Sequence, residues 1–162
     1  MIDFSLSPQL EEIRRQTIAF MDEYVYPAEQ RYPGAESLPA EVEHDLREKV
    51  KALGLWAPHM PAEAGGMGIG VVGLAVMNEI LGRSPHGPRL FNCAAPDAGN
   101  MELLHIAANP EQRKKYLQPL VRAECRSCFA MTEPEVAGSD PTLLQARAEL
   151  DGDSWVINGH KW

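Results

Sequence analysis

The sequence lacks a long apolar run, a basic cluster and a leader-like start, and each absence excludes a class of protein. No window reaches the roughly 20 apolar residues that span a bilayer. The N-terminus, Met1 to Ser5, lacks the basic-then-apolar order of a signal peptide. Lys and Arg number 15 against 23 Asp and Glu, and the densest cationic group, Arg113 to Lys115, fits a solvated helix face. These absences predict a cytoplasmic protein with no membrane span and no nucleic-acid partner.

Cysteine and clustered histidine are also scarce. The three cysteines, Cys93, Cys125 and Cys128, fit a reducing compartment. Cys125 and Cys128 have the CxxC spacing of redox and zinc sites, but the sequence shows neither a second ligand pair nor a helix N-terminus there. A structural role is therefore favoured over those two alternatives. The five histidines have no metal-ligand spacing, so the sequence predicts no metal site.

The first part of the chain carries helical patterns. Ser7-Pro8 is a polar cap followed by proline at the first helical position, and the helix that it begins should end before Pro27. A second helix is predicted from Pro39 to Leu53, with Gly54 as a left-handed stop. Trp56, just beyond it, is expected to anchor packing, as is Trp155 further along the chain.

A glycine-rich loop over residues 60–70 separates these helices from the next ones. Residues 71–81 are apolar almost all round, which predicts a helix buried on most sides. Asp97 could cap a further helix, and Asn109 has the signals of a capping box. Pro119 should bend or end that last helix, because proline removes a helical hydrogen bond.

The pattern changes from period 3.6 to period two after Arg126. Residues 127–131 are predicted to form a strand, and residues 144–150 alternate in polarity. Asp151-Gly152 is a hairpin turn signal that leads into a short strand over residues 155–157. Residues 161–162 should open another strand.

Two domains follow from these patterns. Residues 1–126 are predicted to be an N-terminal helical domain, and residues 127–162 the beginning of a small antiparallel β-barrel-like domain. The predicted fold class is therefore mainly α with a short β region. A meander that stops at Trp162 would leave an unpaired edge, so we expect the chain to be part of a longer protein.

The segment from Phe129 to Asp140 contains the candidate ligand-binding residues. A strand delivers the hydroxyl of Thr132, and a loop with proline and glycine leads to Ser139 and Asp140. Such a loop can offer backbone N–H groups and hydroxyls to a flat, polar-edged or phosphorylated ligand. A plain structural turn explains the same residues equally well.

Here the sequence resembles a known family. Thr132-Glu133-Pro134 followed by Ala137 to Asp140 resembles the flavin-binding signature of acyl-CoA dehydrogenases. The glycine loop and the segment Trp155 to Lys161 are similar to the family's Pro-Glu-x-x-Gly-Gly-x-Gly and Trp-x-Ile-Asn-Gly-x-Lys motifs, and Asn109 to Leu120 resembles the helix before the flavin strand. The signature has one extra residue between Glu133 and Gly138, which resembles a branch that includes enzymes for long-chain, branched or hydroxylated acyl-CoAs, so the substrate stays open. Residues 90–102 also resemble that branch, which leaves a cap and a pocket role open for Asp97 and Asn100.

The resemblance implies an oxidoreductase of fatty acid metabolism, specifically β-oxidation. Such flavoproteins bind FAD and dehydrogenate an acyl-CoA to a trans-2-enoyl-CoA, with an electron-transferring flavoprotein as electron acceptor. They form homo-oligomers, usually tetramers. The catalytic glutamate belongs to a C-terminal helical bundle that this chain does not contain, so no catalytic residue is expected here. Residues 1–162 alone are expected neither to bind FAD tightly nor to turn over acyl-CoA.

The resemblance also implies roles for five residues. Phe129, Met131 and Thr132 should lie along the flavin ring, with the Thr132 hydroxyl and backbone N–H facing its pyrimidine edge. Gly138 and Ser139 should lie near the FAD pyrophosphate, and Ser139 also near the CoA part of the substrate.

Two other classes of function remain open at this stage. An acyl-CoA oxidase or a flavin monooxygenase has the same fold, and the oxygen reactivity of the reduced flavin distinguishes them. A non-catalytic helical remnant that only binds partners is the second alternative. The half-built sheet argues against it, because such a product would expose apolar surface.

Overall fold

A computed structural model describes residues 5–162 of the chain. Residues 1–4, on which the signal-peptide argument partly rests, lie outside the described residues. The contacts divide the chain into a helical unit that ends at Ser127 and a hairpin unit, Cys128–Trp162. The predicted fold class, mainly α with an antiparallel sheet at the C-terminal end, is confirmed. No helix within residues 5–162 has the length and apolar content of a membrane span.

The helical unit contains short and medium-length helices in chain order. The α-helices are α1 Pro8–Phe20, α2 Tyr26–Arg31, α3 Ala40–Ala52, α4 Gly70–Leu81, α5 Gly87–Leu90, α6 Asp97–Ala107, α7 Pro110–Gln112 and α8 Gln118–Val121. Two π-helical turns, Met21–Val25 and Arg113–Leu117, join α1 to α2 and α7 to α8.

The two π-helical turns explain why proline does not end these helices. Tyr26 N–H donates to Met21 O and Gln118 N–H donates to Arg113 O, and each donor directly precedes a proline. A wider turn relieves the clash between the proline ring and the preceding carbonyls. The prediction that the first helix ends before Pro27 is therefore wrong, and helical structure also continues past Pro119 to Val121.

The end of α3 follows the prediction. Gly54 has φ 71°, Leu55 N–H donates to Val50 O at 3.1 Å, and Gly54 N–H donates to Lys51 O at 3.0 Å. These are the two hydrogen bonds of a Schellman motif, which requires a residue with positive φ after the helix. The left-handed stop is confirmed.

Helix α4 forms where it was predicted but is less buried than predicted. Val71 is 84% exposed and Val72 is 61% exposed. The buried residues of the helix are Gly73, Met77, Ile80 and Leu81, which share one face. The prediction of burial on most sides is wrong because the unit covers one face of the helix only.

The core of the helical unit holds large apolar side chains. Phe20 and Phe91 are buried and pack edge to face with ring centroids 5.4 Å apart. Trp56 is buried and donates from Nε1 to Val121 O at 2.8 Å, so its predicted role as a packing anchor is confirmed. Other fully buried side chains are Met21, Leu55, Met60, Met77, Leu81, Leu90 and Met101.

The hairpin unit contains strands β1 Arg147–Asp151 and β2 Ser154–Asn158, paired antiparallel from Arg147↔Asn158 to Asp151↔Ser154. The two loop residues are Gly152, with φ 59°, and Asp153, one position later than the predicted turn. All ten strand residues are exposed. Trp155 is 65% exposed, so it does not anchor packing in the described residues.

The predicted strands over residues 127–131 and 161–162 do not form. Met131 O accepts from the Lys161 side chain at 2.7 Å, and Thr132 O accepts from Trp162 N–H at 3.2 Å. A ladder needs alternating backbone pairs along both segments, and here one of the two contacts comes from a side chain. Neither segment is therefore a strand of the sheet.

Candidate functional site

Glu133 is the buried centre of the hairpin unit. Its side chain is only 3% exposed, although it belongs to a loop. Oε2 accepts from Gln145 N–H at 2.7 Å, and Oε1 accepts from Ala146 N–H at 2.9 Å. Gln145 and Ala146 lead directly into β1, so this carboxylate attaches the loop to the start of the hairpin.

Lys161 completes the arrangement from the other end of the hairpin. Its Nζ lies 2.9 Å from Glu133 Oε1 and donates to Met131 O at 2.7 Å. The next residue, Trp162, donates its N–H to Thr132 O. Three chain segments therefore meet at one carboxylate, and we call Glu133, Lys161 and the amides of Gln145 and Ala146 the carboxylate clamp.

The clamp changes the acidity of its carboxylate. The Gln145 N–H, the Lys161 ammonium and the Ala146 N–H lower the pKa of Glu133 from 4.5 to about 2, because all three favour the ionised form. Glu133 is therefore an anion at any pH at which the protein would work. It cannot act there as a general base of ordinary strength.

The loop after Glu133 is ordered by a second carboxylate. Asp140 Oδ1 accepts from Thr142 N–H at 3.0 Å and from Thr142 Oγ1 at 2.6 Å, which caps the short 3₁₀ turn Pro141–Leu143. These hydrogen bonds lower the pKa of Asp140. Asp140 N–H in turn donates to Ala137 O at 3.2 Å. Both ends of the loop are thus fixed by hydrogen bonds.

The structure brings some of the predicted site residues together. A Cβ added to Gly138 would lie 3.8 Å from Thr132 Cγ2 and 3.9 Å from Thr132 Oγ1, so the loop folds back onto that threonine. Phe129 is 66% exposed and Met131 is 37% exposed, and Ser139 is exposed in the turn next to Gly138. Thr132 and Gly138 are therefore neighbours, next to apolar side chains that the hairpin unit leaves uncovered.

Glu133 and Lys161 are the site residues that sequence reasoning missed. Both lie within the quoted motifs, Glu133 in the loop signature and Lys161 at the end of the hairpin motif. Opposite charges at fixed positions in two motifs are a signal that could have paired them. The pairing itself depends on the hairpin, which returns the chain to the loop.

Asp97 forms a separate polar cluster within the helical unit. It is the first residue of α6 and not its cap, since Pro96 occupies the cap position. Asp97 Oδ1 accepts from Ser127 N–H at 2.7 Å and from Ser127 Oγ at 2.6 Å, and Oδ2 lies 3.3 Å from Arg126 Nε. Asn100 Nδ2 donates to Ser127 Oγ at 2.8 Å. The cluster fixes the end of the helical unit.

A cleft of about 870 Å³ also lies in the helical unit, between α3 and residues 118–124. Glu43 Oε1 lies 2.5 Å from Arg47 Nη2 and 2.7 Å from Arg89 Nε. Two further cations of the cleft are also paired, Lys51 with Glu48 and Arg122 with Glu124. The cleft therefore has mostly compensated charge and indicates no specific ligand.

Metal and thiol chemistry find little support in the part of the chain that the structure describes. Within residues 5–162 no group of three His, Cys, Asp or Glu side chains is arranged to hold a metal ion. Cys125 and Cys128 are exposed. Burial raises the pKa of Cys93 to about 12, so its thiol is a poor nucleophile.

Comparison with known proteins gives consistent matches. A family model described as "Acyl-CoA dehydrogenase, N-terminal domain" matches residues 7–124. Acyl-CoA dehydrogenase family member 10 of Mus musculus is 40% identical over 97% of this chain and 16% of its own length. The FadE2 protein of Mycobacterium tuberculosis, named as an acyl-CoA dehydrogenase, is 38% identical over 99% of this chain and 41% of its own length.

Solved structures agree with these relatives. A Mycobacterium abscessus protein assigned to the acyl-CoA dehydrogenases is 37% identical, with a TM-score of 0.89 over 98% of this chain and 42% of its own. A Bacillus anthracis acyl-CoA dehydrogenase complexed with FAD is 27% identical, with a TM-score of 0.66 over 99% of this chain and 27% of its own. The chain thus spans less than half the length of each of these proteins. Since the family model covers most of the sequence, the chain belongs to the acyl-CoA dehydrogenase family.

Proposed function

We propose that the protein containing this chain is an FAD-dependent acyl-CoA dehydrogenase that converts an acyl-CoA thioester to a trans-2-enoyl-CoA. The observation that carries the proposal is the ordered loop after Glu133, which holds Thr132 next to Gly138. Phe129 and Met131, which shortly precede Thr132 in the chain, are exposed. A flavin needs this combination, namely a hydroxyl at an apolar surface and a glycine that allows close backbone approach.

The residues present fit FAD by their chemistry. Phe129 and Met131 offer apolar contact to a planar ring, and the Thr132 hydroxyl offers a donor to its polar edge. Gly138 has no side chain to obstruct a pyrophosphate, and the Ser139 hydroxyl and backbone can donate to its oxygens. Ser139 is also our candidate contact to the CoA part of the substrate.

The flavin, when bound, accepts a hydride from the carbon β to the thioester carbonyl. Within this chain, the Thr132 hydroxyl and N–H orient the ring and stabilise the negative charge that reduction produces at its pyrimidine edge. Phe129 and Met131 keep water from one side of the ring, which strengthens those hydrogen bonds.

The proton that leaves the α-carbon needs a base that these residues do not supply. Glu133 has a pKa of about 2 and already accepts from three donors, so it is unsuited to that role. We therefore assign the catalytic base to no residue of this chain. We further propose an electron-transferring flavoprotein as electron acceptor, a homo-oligomeric assembly and a cytoplasmic place in β-oxidation.

The test uses the protein produced from the intact gene. We expect it to purify with FAD, and acyl-CoA should bleach the flavin absorbance without oxygen. Thr132→Val removes only the hydroxyl and should slow flavin reduction about 10- to 100-fold, the worth of a hydrogen bond to a developing charge. Thr132→Ser, which keeps the hydroxyl, is the matched control.

Three outcomes would contradict the proposal, and a fourth would contradict a narrower expectation about residues 1–162. A purified protein without FAD, or flavin that acyl-CoA fails to reduce, would exclude dehydrogenation. Rapid reoxidation of the reduced flavin by oxygen would favour an oxidase or a monooxygenase instead. Tight, stoichiometric FAD retention by residues 1–162 alone would contradict our expectation that the cofactor site needs more of the protein.

A further inference from the structure

We infer that Glu133 and Lys161 act as positioning residues for the flavin, because the carboxylate clamp fixes the backbone on which Thr132 is carried. This inference rests on the proposed function. It adds a role for two residues that touch neither substrate nor cofactor in that proposal.

The Glu133 carboxylate is held by donors on both of its oxygens. Oε1 accepts from Ala146 N–H and the Lys161 ammonium, and Oε2 accepts from Gln145 N–H. Since the side chain is only 3% exposed, water cannot replace these donors easily. A neutral amide at this position would direct an NH₂ group at one of the donors. The site therefore requires the carboxylate and not merely a side chain of its shape.

Lys161 of the clamp and the next residue, Trp162, also hold the carbonyls on either side of the proposed flavin contact. Lys161 Nζ donates to Met131 O at 2.7 Å across 30 positions of the chain. Trp162 N–H donates to Thr132 O at 3.2 Å. These bonds set the peptide planes next to Thr132, and the orientation of its N–H and its hydroxyl depends on those planes. A misplacement of a donor by about 1 Å is enough to cost a hydrogen bond much of its strength.

A neighbouring pair of polar side chains, Glu135 and His160, provides a natural contrast. Glu135 Oε1 lies 2.9 Å from His160 Nδ1, and the two side chains are 55% and 67% exposed. An exposed pair of this kind contributes little, because water replaces each partner. Glu135 lies two residues after Glu133, and His160 directly precedes Lys161, so the pair matches the clamp in location but lacks its burial.

The experiment compares Glu133→Gln with Glu135→Gln in the protein from the intact gene. The readouts are the dissociation constant of FAD, the midpoint potential of the bound flavin and hydrogen exchange at the amides of Gln145 and Ala146. We expect Glu133→Gln to weaken FAD binding at least tenfold, to shift the potential and to accelerate exchange at both amides. Glu135→Gln should leave all three unchanged.

Lysine variants extend the test. Lys161→Gln should reproduce the loss of FAD affinity, whereas Lys161→Arg should restore most of it, because the guanidinium can still donate to Glu133 and Met131. Lys161→Gln also serves if Glu133→Gln does not fold, since it leaves both backbone bonds of the carboxylate in place.

The outcomes separate this inference from the proposed function. Wild-type protein that binds no FAD would overturn both. Wild-type binding together with unchanged affinity and potential in folded Glu133→Gln would overturn the positioning role alone. Lower thermal stability with an unaltered flavin would reduce the clamp to a purely structural element, which also contradicts the inference.

Discussion

The described phenylalanine and tryptophan side chains of the helical unit are buried, whereas those of the hairpin unit are exposed. Phe20 and Phe91 have 2% and 0% exposure, and Phe129 and Trp155 have 66% and 65%. The deeply buried side chain of the hairpin unit is instead the carboxylate of Glu133. Apolar packing therefore dominates the first unit, and hydrogen bonds to one charged group organise the second.

This difference shows how the two units depend on their surroundings. The apolar core of the helical unit is formed by side chains of that unit itself. A two-stranded hairpin with both faces exposed is only marginally stable by itself. The carboxylate clamp can hold such a hairpin in one conformation without burying much apolar area. The exposed apolar residues around Thr132 are thus the surface on which the proposed flavin contact depends.

The largest expected difference in unfolding free energy comes from replacing one phenylalanine in each unit by alanine. Phe91→Ala should lower the free energy of unfolding by about 3–5 kcal/mol, because it empties a closed core. Phe129→Ala should change it by less than about 0.5 kcal/mol, since the ring is already in water. Urea unfolding of the chain measures both. Equal losses would contradict the contrast between the two units.

A smaller effect should follow from adding one methyl group within the helical unit. A Cβ on Gly66 would collide with the carbonyl oxygens of Met60 and Ala57, so Gly66→Ala should cost about 1–3 kcal/mol. A Cβ built on Gly99 in α6 would have no atom within 4 Å. Gly99→Ala should therefore be neutral or stabilising by up to about 1 kcal/mol. Thermal unfolding of both variants checks the pair, and a tolerated Gly66→Ala would show that the glycine loop can move.

The two units should also lose stability in different pH ranges, which is a smaller effect than the two substitutions above. Burial lowers the pKa of His59 below 6.5, so the unfolded chain binds a proton that the folded chain excludes. The stability of the helical unit should therefore decline as pH falls below 6.5. Glu133 is a carboxylate whose pKa is lowered from 4.5 to about 2 in the folded chain. Its contribution to stability should therefore be complete above pH 4.5 and disappear as pH falls towards 2.

Amide exchange across a pH series can distinguish these two ranges. Protection of the helical core should weaken first, and protection of Gln145 and Ala146 should outlast it. In His59→Phe the loss near pH 6.5 should vanish, because the titrating group is gone. Loss of both protections at the same pH would mean that the units do not respond separately.

Much of the local structure could be predicted from short-range signals. The Asn109 capping box, the Gly54 stop and the hairpin near Gly152 all formed within a residue of the expected positions. Each depends on φ preferences and on hydrogen bonds between near neighbours in the chain. The loop from Thr132 to Asp140 was also found, although through family resemblance and not through chemistry alone.

The sequence by itself determined the order of elements, their caps and turns, and the family signature of the loop. Tertiary structure alone decided that Pro27 and Pro119 stay inside helical segments, that one face of α4 is exposed and that residues 127–131 form no strand. It also decided that Glu133 and Lys161 meet at 2.9 Å. The physical reason is the range of the interactions: caps and turns are set within a few residues, whereas burial, strand pairing and a shared carboxylate depend on which distant segments the folded chain brings together.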